Sequence, residues 1–199
     1  DDFVEVEFSE DFVATVRLCR PPSNFFSVAM IESVASALEA LDGDVRCRAV
    51  VLGAKGKHFC AGADFTAAGD QSTAALYRAA VRLFRTQTPI VAAIQGAAIG
   101  GGLGLALAAD FRVAAHEARF SANFARLGFH HGFGLSVTLP MVIGQQAAAE
   151  LLYTGRRIAG AEAGRIGLAD RVVSSEELDS AAHALAAEIA ASAPLAVRS

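Results

Sequence analysis

Ile90-Val-Ala-Ala-Ile-Gln-Gly-Ala-Ala-Ile-Gly-Gly-Gly-Leu-Gly-Leu-Ala-Leu-Ala-Ala-Asp110 is the stretch about which the remainder of the chain is arranged. It opens as a short apolar strand, Pro89 to Ile94, and turns through Gln95 and Gly96. It then meets the triplet Gly100, Gly101 and Gly102, and closes as a small-residue helix, Leu103 to Ala109, stopped before Asp110. Glycine lets a backbone approach a ligand closely and adopt dihedrals that other residues avoid. A glycine run opening a helix leaves amide N–H groups unpaired, with the positive end of the helix dipole behind them. Such a place suits a standing anion or an oxyanion that forms during reaction. The plainer alternative is that the glycines only allow close helix packing.

Other readings of the stretch fail on particular residues. It is long enough for a membrane span, yet it is mostly Gly and Ala, lacks an aromatic belt and follows a proline. Gly96 and Gly100 satisfy G-x-x-x-G, which matters only within a real span. A dinucleotide fingerprint would need glycine where Leu105 stands, and no Gly-Lys-Ser/Thr follows to make a phosphate loop. A buried core element, with no membrane, is the expectation.

Composition agrees. The chain has 199 residues, 53% hydrophobic and 19% charged, with a net charge of −4, and its mean hydropathy is +0.39. That length allows one sizeable core, and the high apolar share suits a buried α/β sheet with subunit interfaces. The negative balance and the lack of a basic cluster argue against nucleic acid as a partner. Cys19, Cys47 and Cys60 form no C-x-x-C pair and are odd in number, so a reduced, cytoplasmic protein is expected. The start carries no basic-then-apolar signal pattern.

Along the chain, Phe3 to Phe8 and Phe12 to Leu18 read as a strand hairpin. Val28 to Leu41 has a helical period with Ile31, Val34, Leu38 and Leu41 on one face. Arg48 to Gly53 is a short buried strand. Gln71 to Arg85 is a helix with Leu76, Val81 and Phe84 as core candidates, and Tyr77 and Arg78 as candidates to face a pocket. After the central stretch come strands at Phe111 to Ala114 and Ala118 to Ser121, then an irregular run from Phe124 to Gly134 holding His130 and His131. Helices at Leu135 to Ile143 and Gln145 to Tyr153, a short turn at Ala161 to Ile166, a strand at Asp170 to Val173 and a last helix from Ser175 follow. Strand-then-helix repetition points to α/β with a largely parallel sheet.

A second loop completes the pattern. Phe59-Cys60-Ala61-Gly62-Ala63-Asp64 precedes Gln95-Gly96-Ala97-Ala98-Ile99-Gly100-Gly101-Gly102 by about one helix and one strand. Its small residues again open the backbone to a ligand, and Asp64 is suited to accept from turn amides. In this order, with Asn24 in its proline turn and the late run Glu150 to Ile158, the chain resembles the crotonase family, the enoyl-CoA hydratase/isomerase superfamily. The resemblance implies one domain over residues 1–199. Residues 1–143 would form a spiral of ββα units with the acyl-CoA site, and 144–199 a mostly helical C-terminal part, shorter than the family's usual chain. It implies trimers or dimers of trimers, coenzyme A as part of the substrate, and no permanently bound cofactor or metal. It also implies that two amides, here Ala63 and Gly101, hold a thioester carbonyl. One such donor is typically worth roughly 3–4 kcal/mol in a transition state. Asn24, Ala61, Gly62, Asp64, Phe65, Gly100, Asn123 and Phe124 fall at the neighbouring substrate-binding positions.

The departures from the pattern are specific. The resemblance implies a hydratase glutamate two residues after the glycine triplet, where this chain has Gly104, and another where it has Phe124. Hydration needs a base for water and an acid for the α-carbon, and neither residue can serve. Enolate chemistry such as isomerisation, decarboxylation or thioester hydrolysis is therefore favoured. His131 and His130 are the acid/base candidates, His131 slightly ahead. Arg126 is the candidate to hold a substrate carboxylate. The weaker ideas are Cys60 as a nucleophile with His58, and Lys55 and Lys57 against coenzyme A phosphates. Two other functions stay open, a non-catalytic acyl-CoA binder or scaffold and a carbon–carbon bond hydrolase of diketones that uses histidine.

Overall fold

A computed structural model describes residues 3–64 and 72–198. Its main sheet has six strands in the order β1-β2-β3-β4-β6-β9. These are β1 (Val4–Phe8), β2 (Val13–Leu18), β3 (Ala49–Ala54), β4 (Ile90–Ile94), β6 (Phe111–Ala115) and β9 (Arg171–Val173). β1 runs antiparallel to β2, as the hairpin predicts, and every later pair is parallel. A smaller sheet has the order β5-β7-β8, from Ala97–Ile99, Arg119–Ser121 and Ile158–Ala159.

Side-chain alternation explains why these strands are so apolar. Successive residues of a strand face opposite sides. Ala49, Val51, Val91, Ala93, Val113 and Ala115 face helix α7 (Leu178–Ala190), meeting Leu178, Ala182 and Ala186. Val50, Leu52, Ile90, Ala92, Ile94 and Ala114 face the other way, into the larger core with α1 (Val28–Asp42) and α2 (Thr73–Leu83). A sheet covered on both faces needs the near-continuous apolar runs seen in the sequence. α1 starts where Ser27 caps it, its hydroxyl accepting from the Met30 amide at 3.3 Å. Ile31, Val34, Leu38 and Leu41 are all buried, as their period predicts.

Each turn of the chain places one segment in the large sheet, the next in the small one, and then a helix. β4, β5 and α3 (Gly101–Ala106) make one such unit. β3 precedes another, whose second segment carries the single bridges Cys60 to Ala98 and Ala63 to Phe26 before α2. β2, Phe26 and α1 make a third. The result is a spiral of ββα units with a mostly helical C-terminal part, α4 (Leu135–Ile143), α5 (Gln145–Thr154), α6 (Gly160–Arg165), α7 and α8 (Pro194–Val197). Among the described residues no helix is long and apolar enough to cross a membrane.

Several local expectations need correction. Ala97–Ile99 is a strand rather than part of a glycine turn, because Cys60 and Phe120 flank Ala98 on its two sides. The central helix runs Gly101–Ala106 rather than Leu103 to Ala109. Val81 and Phe84 are exposed at 48% and 41%, and the face of α2 that packs is Ala75, Ala79, Ala80 and Leu83. The last helix starts at Leu178 rather than Ser175. The irregular run opens with a 3-10 helix, Asn123–Leu127, ended by Gly128 at φ +78.

Candidate active site

Ala63 and Gly101 come from neighbouring turns of the spiral. Phe26 donates to the Gly62 carbonyl at 3.0 Å and accepts from the Asp64 amide at 3.0 Å. Those two bonds flank Ala63, so its own N–H points to the side away from Phe26. Gly101 is the first residue of α3, and the helix bonds start later, with Leu103 and Gly104 both donating to Gly100. Among the described residues, neither the Ala63 nor the Gly101 amide donates to any protein acceptor. α3 has only six residues, so its dipole is small and the arrangement rests on the amide hydrogens themselves.

Glycine at this junction is a packing requirement. A Cβ on Gly102 would lie 2.1 Å from the Cys60 carbonyl oxygen, and one on Gly101 would lie 2.4 Å from Phe26 Cζ. The two loops therefore press directly on each other, and close packing is one requirement that the triplet meets.

Ala63 and Gly101, with Ala61, Gly62 and Gly100, line one cavity of about 480 Å³. Its walls are the rings of Phe25, Phe26, Tyr77, Phe124, Phe129 and Phe133, with Leu76 and Leu127. Phe26 and Phe133 pack at 5.6 Å and 57°. Asn123 lines this cavity and also an adjoining one of about 1080 Å³. Phe25, Ala61 and Ile99 are shared as well, so the two spaces are continuous. The larger space carries Lys57, Arg119 and Arg157 against Glu117 and Asp179.

The two histidines lie 5.5 Å apart, ring to ring, but only one of them reaches the apolar cavity. His130 lines the apolar cavity. Its Nδ1 lies 3.1 Å from the His131 carbonyl. A carbonyl only accepts, so Nδ1 is the donor in this contact. His131, the favoured candidate, does not line that cavity. It stands edge-on to Phe124 at 6.4 Å, beside a second space of about 430 Å³ that it lines together with His130, α4 and α5. Its Nδ1 is buried without a partner, and burial, followed by the charge of His130, holds its pKa below the usual histidine value.

Arg126 is likewise outside the cavity. Its Nε donates to the Thr154 carbonyl at 2.5 Å, tying the 3-10 helix to the end of α5. Asn24 is fully buried and structural in its contacts. Its amide donates to the Lys55 and His58 carbonyls at 2.7 Å each, and its Oδ1 accepts from the Arg20 amide at 2.8 Å. Asp64 pairs with Arg20 at 3.1 Å. Phe65 lies outside the described residues. Cys60 is wholly buried and burial pushes its thiol up to about 12, which removes it as a nucleophile at neutral pH. His58 uses Nδ1 to accept from the Ala97 amide at 3.1 Å, and Lys55 pairs with Glu5. No group of three metal-ligating side chains exists among the described residues.

Sequence reasoning missed Phe133. At φ +54 it holds a left-handed backbone and sits over Gly104. A Cβ on Gly104 would lie 2.6 Å from Phe133 Cβ and 2.7 Å from its carbonyl oxygen. The space that a side chain at position 104 would need is thus filled by this residue. The signal was present in Gly132-Phe133-Gly134, where flanking glycines mark a constrained aromatic. Tyr77, singled out without a place, has its hydroxyl against Gly132, 2.4 Å from where a Cβ would be.

A spiral of ββα turns with a helical C-terminal part is the crotonase fold. Residues 9–199 match the enoyl-CoA hydratase/isomerase family model, and the chain belongs to that family. A Bacillus subtilis protein named as an enoyl-CoA hydratase/isomerase is 36% identical over 99% of this chain and 79% of its own length. An enoyl-CoA hydratase subunit from Geobacillus kaustophilus superposes with a TM-score of 0.91 at 34% identity, over 98% of this chain and 78% of that one. An enoyl-CoA hydratase from Bacillus anthracis gives 0.89 at 35% identity, over 98% and 80%.

Proposed function

We propose that this family member processes acyl-CoA thioesters through an enolate, held by the Ala63 and Gly101 amides, and that its reaction is isomerisation or thioester hydrolysis rather than simple hydration. The observation that carries the reading is the pair of unbonded amides lining one apolar cavity. A thioester enolate concentrates charge on oxygen, and donors already fixed in place stabilise it without reorganisation. The larger adjoining space, with Lys57, Arg119 and Arg157, suits the phosphates of coenzyme A. Hydration is disfavoured because position 104 is closed by Phe133 and position 124 is a phenylalanine. Decarboxylation loses support because Arg126 is engaged with Thr154. The proton would pass through His130 Nε2 or the Tyr77 hydroxyl, the acid/base side chains lining the cavity among the described residues. The working form would be a cytoplasmic homo-oligomer that keeps no permanent cofactor.

Incubation with an acyl-CoA panel in deuterated water tests this. Exchange of the α-proton or turnover of a thioester is expected. Tight binding with neither would favour the second reading, a non-catalytic acyl-CoA binder, which the lack of a carboxylate at positions 104 and 124 also supports. Failure to bind any thioester would remove the assignment and favour the diketone hydrolase.

A further inference from the structure

Resting on the acyl-CoA reading, the choice of acyl group follows from what surrounds the two amides. Three positions at which the cavity would otherwise carry a polar anchor are apolar or turned away together. Position 104 is glycine beneath Phe133, position 124 is a phenylalanine whose ring lies 3.2 Å from a Cβ built on Gly132, and Arg126 reaches Thr154 instead. Among the described residues the cavity lining contains no lysine, arginine, aspartate or glutamate. A carboxylate on the acyl group would therefore meet no lysine or arginine along these walls, and stripping water from it against the rings is unfavourable. Ring walls, by contrast, reward a bulky apolar or aromatic group by burial and by edge and offset contacts.

We infer that this cavity selects acyl-CoA thioesters whose acyl group is uncharged and of aryl size, and rejects short and carboxylate-bearing ones. The Tyr77 hydroxyl has no hydrogen-bond partner among the described residues, and it is the group placed to receive a hydroxyl or keto substituent on that acyl group.

Calorimetric titration of the full chain with phenylacetyl-CoA, acetyl-CoA, succinyl-CoA and free coenzyme A tests the inference. Phenylacetyl-CoA should bind roughly 10- to 100-fold more tightly than acetyl-CoA, the gain for burying a phenyl-sized group. Succinyl-CoA should bind no better than acetyl-CoA. Leu127 lines the cavity and is 51% exposed, so Leu127→Arg offers a cation at the wall without disturbing the core. It should raise succinyl-CoA affinity roughly tenfold or more while lowering that for phenylacetyl-CoA. If succinyl-CoA or acetyl-CoA matches phenylacetyl-CoA on the unmodified chain, the acyl class is wrong and the thioester reading stands. If none of the thioesters binds, both fall.

Discussion

Gly104→Ala is the change that most directly tests how this site is closed. By backbone propensity alone, glycine to alanine inside a helix stabilises by about 0.5–1 kcal/mol. Here the added methyl would lie 2.6 Å from Phe133 Cβ, 2.7 Å from its carbonyl oxygen and 2.8 Å from its Cδ1. One of these atoms is backbone, so relief requires moving the chain at a residue held at φ +54. Overpacking of this kind costs about 1–3 kcal/mol, and the backbone contact puts it near the upper end. The net expectation is a loss of about 1–2 kcal/mol. Phe133→Gly removes two of the three contacts and suits the left-handed backbone, though it gives up a buried ring at about 3–5 kcal/mol. In that background Gly104→Ala should cost at least about 1 kcal/mol less than it does alone. Urea denaturation of the four proteins, with midpoints compared at constant slope, measures the cycle. A higher midpoint for Gly104→Ala alone, or equal effects in both backgrounds, would refute the account of Phe133 as the closure over position 104.

Asn24→Ala removes a buried amide that makes three hydrogen bonds of 2.7–2.8 Å from a left-handed backbone at φ +47. A loss of about 3 kcal/mol is expected, read as a fall in thermal midpoint of roughly 6–12 °C, and a fall below a few degrees would mean these bonds are easily replaced. His131 has a folded pKa below its ordinary value of 6.5, so the unfolded chain binds more protons just under that pH. Its contribution is intact above 6.5 and is lost as pH falls toward the folded value, so the urea midpoint should drop between pH 7.5 and 5.5. His131→Gln should flatten that drop, and an unchanged slope would place the titration elsewhere. Cys60, with its thiol at about 12 and no exposure, should resist alkylation at pH 8 in the folded chain and react only after unfolding. Modification at the rate of a free thiol would contradict its burial.

The parts of this molecule that were legible in the sequence are those with a period or a spacing. Ile31, Val34, Leu38 and Leu41 sit one helical face apart, and the apolar runs at β3 and β4 have the composition of strands covered on both sides. The two small-residue loops announced close backbone approach, which the 2.1 Å limit at Gly102 explains. What stayed hidden depends on tertiary contact. Hydrophobicity alone puts Val81 and Phe84 inside, yet α2 packs through Ala75, Ala79, Ala80 and Leu83, a face that depends on where its neighbour α1 lies. β5 and β8 have three and two residues, too short for any period to register. His131 and His130 are adjacent in sequence, and only the turn of the backbone between the 3-10 helix and α4 brings His130 to the apolar cavity while leaving His131 off it, edge-on to Phe124.

The same limit governs the chemistry. Gly104 and Phe124, read singly, subtract two carboxylates from a familiar pattern, and subtraction alone leaves a choice between a different enzyme and an inert one. Phe133 alters the weight of that choice. A site that had merely decayed would leave a gap above Gly104, and a gap of even a methyl group costs stability. Here the gap is filled by a buried ring that also packs on Phe26, beside the Gly101 amide. Phe133 and Phe124 therefore belong to the packed wall of the cavity that Ala63 and Gly101 line, and the proposed choice of acyl group rests on that wall.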